Sequence, residues 1–284
     1  MGSIVKPHHR TILFSAAVLI LGFAAYMPPA LAAGIADTKH NLGSTGTGIN
    51  HTTNTAEICL FCHMPVEVDS TGAPLPPLWN KLLPTNTVYS TYASLQSGSI
   101  SGTIGKPGGN SLECLSCHDG AQAMDNVINF PGLGVDPTGG GAAGRGFTWV
   151  GNRQVNGKLI NVNGSLAVLG TDLRDDHPIG IEYCGGPRGG AIGTCKDSYY
   201  VLPTAGIGGN MATGPWWVDT PDGINGVREA TDMPLYAAAP DRTSGIGPQV
   251  ECGSCHDPHS TNALFLRRIA GNRNSITCLS CHVK

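Results

Sequence analysis

The chain has 284 residues, a formal net charge of −3 and only 13% charged side chains. That balance leaves no basic footprint for nucleic acid and no strong field for steering a charged partner. Its 40 glycines and 20 prolines predict a loop-rich chain of short elements, held together by something other than regular secondary structure.

In chain order, Lys6 and Arg10 flank an apolar run from Thr11 to Tyr26, and Ala30-Leu31-Ala32 has the small-x-small cleavage pattern. Residues 1–32 therefore read as a secretory signal peptide. The run is short for a membrane span, and an uncleaved anchor is the alternative. Cleavage after Ala32 leaves 252 residues with a charge of −5, because two bases and no acid depart. No later stretch is apolar for long enough to cross a bilayer.

The mature chain begins with an arm, 33–58, that carries His40 and His51. Four Cys-x-x-Cys-His runs follow: Cys59-Leu-Phe-Cys62-His63, Cys114-Leu-Ser-Cys117-His118, Cys252-Gly-Ser-Cys255-His256 and Cys278-Leu-Ser-Cys281-His282. Two thiols three positions apart share one helical turn and reach the two vinyl groups of one haem. The histidine that follows lies under the ring and ligates iron. The eight cysteines are thus expected to attach four haem c groups, with His63, His118, His256 and His282 as proximal ligands. Zinc ribbons also use paired cysteines, but an oxidising compartment disfavours clustered thiolates, and a histidine follows every pair.

Two motifs fall in 33–118, none in 119–251 and two in 252–284. The motif-free middle is Gly-rich and carries runs that predict short strands: Phe147–Val150, Lys158–Val162, Ser165–Leu169, Ser198–Leu202 and Trp216–Val218. The middle also holds the two remaining cysteines, Cys184 and Cys195, on either side of a flexible segment. Export makes a disulfide the expected state, worth about 2–3 kcal/mol for so short a loop; two free thiols are the alternative. The expected fold is mostly irregular and haem-organised, with short helices at the motifs and short strands in the middle, in one compact body.

Ten histidines are present. His8 and His9 leave with the signal, and four are proximal ligands. His40, His51, His177 and His259 remain, four candidates for four distal positions, which predicts bis-histidine iron throughout. Methionine is the other option; Met124, Met211 and Met233 are available, whereas Met64 adjoins His63 and cannot swing to the opposite face of the same haem. His259 lies three residues after His256, so it cannot reach the far face of its own haem and must serve a neighbour. Asp175 and Asp176 precede His177; they are either partners for its second ring nitrogen or a solvated acidic turn.

The motif set resembles the doubled Cys-x-x-Cys-His family of multihaem cytochromes. Thr38-Lys-His-Asn-Leu42, Ile58-Cys-Leu-Phe-Cys-His-Met-Pro65, Asp176-His-Pro-Ile-Gly-Ile181 and Cys252-Gly-Ser-Cys-His-Asp-Pro-His259 are similar to its recurring pieces. More closely, the mature chain resembles outer-surface tetrahaem cytochromes of metal-respiring bacteria that polymerise into conductive filaments. Met64-Pro65-Val66 departs from the family, which often has a second histidine there; His51 is the natural substitute. The resemblance implies electron transfer rather than catalysis, an extracellular or outer-surface location, self-association head to tail, and other electron-transfer cytochromes and an extracellular acceptor as partners. In such a filament one iron ligand is expected to cross between subunits, from His40 or His51, with His259 in reserve. A monomeric periplasmic shuttle and a terminal reductase with one open haem are the alternatives.

Overall fold

The structure, a computed structural model, describes Gly2 and residues 34–64, 79–130, 134–136, 138, 141–162, 166–190, 193–205, 216–220, 226–237, 247–268 and 272–283. The signal segment, His8, His9 and Met211 lie outside the described residues. Ala33–Lys284 form one compact unit. Within it the elements are short, as the glycine and proline content dictates: single helical turns, one longer helix and paired antiparallel strands of two or three residues. Among the described residues no helix is long and apolar enough to cross a membrane.

Helix α1, Gly109–His118, is the one long element. It holds the second Cys-x-x-Cys-His run and buries Leu115, Ser111 and Ser116. It stops at Gly120, where φ is +74° and a Cβ would press on the Leu159 carbonyl at 3.0 Å. That turn needs glycine. Helices α2, Cys252–Cys255, and α3, Ile276–Leu279, are single turns at the third and fourth runs. Residues Cys59–Phe61 make a 3-10 turn at the first. A reciprocal capping box between Glu251 and Ser254 starts α2, satisfying amides that a one-turn helix would otherwise leave open.

The core sits in the middle region. Trp216–Val218 is the central strand of three, flanked by Met233–Leu235 and Thr204–Ala205. Its buried side chains pack with Tyr183 and with Cys184 and Cys195, which are joined in a disulfide with Cα atoms 5.3 Å apart. The Tyr183 hydroxyl donates to the carbonyls of Val201, at 2.8 Å, and Cys281, at 3.3 Å, so this core also anchors the fourth run.

Two expected strands are not strands. Residues 166–169 turn beside α1: the Leu169 amide donates to the His118 carbonyl at 2.8 Å. Around Tyr200 there is one bridge, to His282, with Val201 N–H donating to the Cys281 carbonyl and Val283 N–H to that of Tyr199. In both places the backbone is spent on holding a Cys-x-x-Cys-His run rather than on a ladder. Of the other expected strands, Trp149–Val150, Lys158–Leu159 and Trp216–Val218 form.

Candidate functional site

Each run closes on itself in the same way. The histidine amide donates to the carbonyl of the first cysteine: His63 to Cys59 at 2.8 Å, His256 to Cys252 at 3.0 Å and His282 to Cys278 at 2.9 Å; in the second run both residues lie on α1. One turn therefore carries two thiols and an imidazole, the arrangement a covalently attached haem requires.

The runs meet in sequence order. Cys62 of the first interacts with Cys117 of the second. Cys114 of the second interacts with Cys252 of the third. Cys255 of the third lies near Cys278 and Cys281 of the fourth. Burial first, then neighbouring thiols, pushes Cys62 and Cys281 up to about 12 and Cys255 up to about 11. These sulfurs are protonated thiols at neutral pH, poor ligands for a bare metal ion. Among the described residues no three of His, Cys, Asp and Glu converge on one point; donors are strung along the chain instead.

The contact between the second and third runs is the tightest. Gly253 N–H donates to Asn110 Oδ1 at 2.8 Å and Cys252 N–H to Ser111 Oγ at 3.0 Å. Between them is Glu251, only 1% exposed, which accepts from Gly108 N–H at 3.0 Å and, through a very short bond, from the Ser111 hydroxyl. Burial raises its carboxyl to about 7 against the opposing pull of those two bonds.

Several histidines are oriented by a ring-nitrogen contact, whereas Nδ1 of His63 is buried with no hydrogen-bond partner among the described residues. Main-chain carbonyls face Nδ1 of His51 (Gly48, 3.2 Å), His118 (Ala167, 2.6 Å), His177 (Pro178, 3.1 Å) and His256 (Leu264, 2.8 Å). Asp257 Oδ1 faces that of His259 at 3.3 Å, and His40 bonds the Pro258 carbonyl. A ring held by Nδ1 leaves Nε2 free for a metal and fixes its direction. The partner of His177 is a carbonyl, not the carboxylate of Asp175 or Asp176. Asp176 instead offers its own carbonyl to Tyr92.

Two pairs face one another. The rings of His63 and His259 are 6.1 Å apart at 8°, and those of His40 and His118 are 6.1 Å apart at 73°. Two imidazoles bound on opposite sides of one metal, each about 2 Å from it, have centroids about 6 Å apart. Burial and the charge of the facing ring lower both His63 and His40, the latter to about 4, and burial lowers His118. All three rings are neutral at pH 7. Asp257 raises His259. The other two candidates stand apart. His51 pairs with Val150 on a two-stranded ribbon. His177 precedes the strand Ile181–Glu182, which runs antiparallel to Gln249–Val250, the strand that leads into α2. His282 has the Tyr200 ring beside it, 4.5 Å away. Met124 and Met233 are buried in packing.

Sequence reasoning missed the pair Asn80–Lys81. Asn80 donates to the Leu60 and Asn129 carbonyls, each at 2.8 Å, and its amide to that of Cys62 at 2.9 Å. Lys81 is buried beside it. Nothing in the flanking Pro-rich sequence marks either residue.

Residues 248–284 match the model of the doubled CXXCH motif family, a haem-binding motif characteristic of c-type cytochromes. No curated protein matches the chain. The matched segment contains the third and fourth runs, and the motif with its local geometry supports covalent haem c binding and an electron-transfer role of the c-type cytochrome kind.

Proposed function

We propose that this c-type cytochrome is exported, carries four haems and passes electrons along them, and that it polymerises head to tail into an extracellular filament. The observation that carries the reading is the two facing pairs, His63 with His259 and His40 with His118, each joining a proximal histidine to a distal candidate at the spacing of one iron. His177, which precedes the strand paired with Gln249–Val250, is the distal ligand for the site of His256. The haems supply a one-electron iron couple. The chain supplies two fixed imidazoles per iron, which leaves no vacancy for substrate and lets the electron move with little rearrangement. The order in which the runs touch makes the path follow the sequence from Cys59 to His282.

His51 supports the filament. It belongs to neither facing pair, so it is free to serve the fourth haem of a neighbouring subunit. A head-to-tail contact whose rotation does not close into a ring extends as a filament. The purified protein should show the mass of four haems and ferric spectra that are low-spin throughout. Parallel imidazoles give a rhombic EPR signal and near-perpendicular ones a strongly anisotropic signal, so both types should appear. A high-spin haem in native filaments would overturn the bis-histidine reading. A monodisperse monomer at high concentration, or a structure with all eight ligands from one chain, would overturn the assembly.

A further inference from the structure

Lys81 is 2% exposed. Its Nζ donates to the carbonyls of Ala123 at 2.9 Å, Met124 at 3.1 Å and Asn126 at 3.4 Å. All three belong to the turn that follows His118. No carboxylate pairs with it among the described residues. The nearest acid in that turn, Asp125, is committed to the amides of Arg145 and Phe147 and the indole of Trp149. On its other side the adjacent Asn80 grips the first run at Leu60 and Cys62, and the charge on Lys81 reaches the Cys62 sulfur. An ammonium ion is thus walled in between the first Cys-x-x-Cys-His run and the segment leaving the second.

A structural staple could be made more simply. The same three carbonyls would accept from a neutral amide without the desolvation cost of a buried cation. What only a cation supplies is a field, and in a dry site that field is weakly screened. Ferric haem carries one positive charge more than ferrous haem. A fixed positive charge nearby therefore favours the ferrous state.

We infer that Lys81 is a positioning residue for electrons: its buried charge raises the reduction potentials of the first two haems above the values their ligands alone would set. The inference rests on haems at both runs, as proposed above. It makes this pair the place where an electron dwells within each subunit.

The test is an EPR-monitored redox titration of holoprotein carrying Lys81→Gln, which keeps an N–H donor and loses the charge, and Lys81→Arg, which keeps the charge. The EPR components lost in His259→Met and in His40→Met mark the first and second haems, so each is followed separately. Lys81→Gln should lower the reduced-to-oxidised ratio of one or both about tenfold at a given potential, about 59 mV for a one-electron couple, while the other two haems and Lys81→Arg titrate as wild type. Unshifted titrations in a four-haem Lys81→Gln protein would overturn the inference, as would an equal shift in Lys81→Arg. If Lys81→Gln does not load haem, Lys81→Met titrated in the same way decides between the same two outcomes. Missing haems or missing EPR signals in the wild type would instead overturn the proposed function.

Discussion

At the scale of single residues the histidines carry the argument, and they were only partly legible. Four of them follow directly from the Cys-x-x-Cys-His spacing, because a helical turn is local physics. The pairing is not local. His63 meets His259 and His40 meets His118 across long stretches of chain, and no pattern in a single sequence encodes which rings face. Simple counting named the candidates and could not connect them. The geometry now makes each replaceable in a distinct way. His259→Met should remove the rhombic EPR signal and raise that haem's potential, since a thioether ligand favours ferrous iron. His40→Met should instead remove the anisotropic signal. Loss of the same signal in both variants would show the pairs to be misassigned. Asp257 holds Nδ1 of His259 and receives its amide, so Asp257→Asn should raise the first haem's potential while all four irons stay low-spin, read by the same titration.

Among the elements, helix turns at the motifs were readable from spacing, while the strand-like runs were readable only in part: Trp149–Val150, Lys158–Leu159 and Trp216–Val218 form strands. Residues 166–169 and 198–202 have strand composition, yet their amides and carbonyls are claimed by the motifs they hold. Tertiary demand overrides propensity there. The contact of α1 with α2 leaves no room: a Cβ on Gly253 would overlap the Tyr236 hydroxyl and Asn110 Oδ1, so Gly253→Ala should lower the melting temperature of the holoprotein. Glu251 at the same contact gives a pH prediction. Its folded-state value, about 7, is above the usual 4.5. The folded chain then holds a proton that the unfolded chain has released, and the stabilisation present below pH 4.5 is lost as pH rises to about 7. The loss is on the order of a few kcal/mol. Glu251→Gln, which keeps the acceptor oxygen, should flatten that decline and melt higher than wild type at pH 8. Parallel melting curves for the two proteins between pH 4.5 and 8 would refute it.

For the whole molecule, the middle region proves to be the frame. Its core of Trp216, Val218, Met233 and Leu235 closes over the disulfide and reaches the fourth run through Tyr183. Composition announced a loop-rich body needing reinforcement, and the disulfide is one reinforcement. Replacing Cys184 and Cys195 together by serine should cost about 3 kcal/mol in unfolding by denaturant. Replacing His51 by alanine tests the assembly without touching that frame. Its ring bonds only the local Gly48 carbonyl, so monomers should fold and load haem normally, yet electron micrographs should show no filaments. Filaments of normal length from His51→Ala protein would assign the bridging role elsewhere.

The closeness of Cys114 to Cys252 has a bearing on how the protein is made. On the proposed reading both sulfurs are captured by separate haems, yet the folded polypeptide brings them together, and export would expose them to the oxidant that closes Cys184 to Cys195. Maturation is therefore a race: attachment has to reach at least one of the two before the chain collapses and an oxidant joins them. Cells starved of haem should accumulate chains with a Cys114–Cys252 crosslink, visible in unreduced peptide maps, and those chains should be a dead end that later haem supply does not rescue. The protein's yield would then depend on the order of two chemical events as much as on the stability of the finished fold.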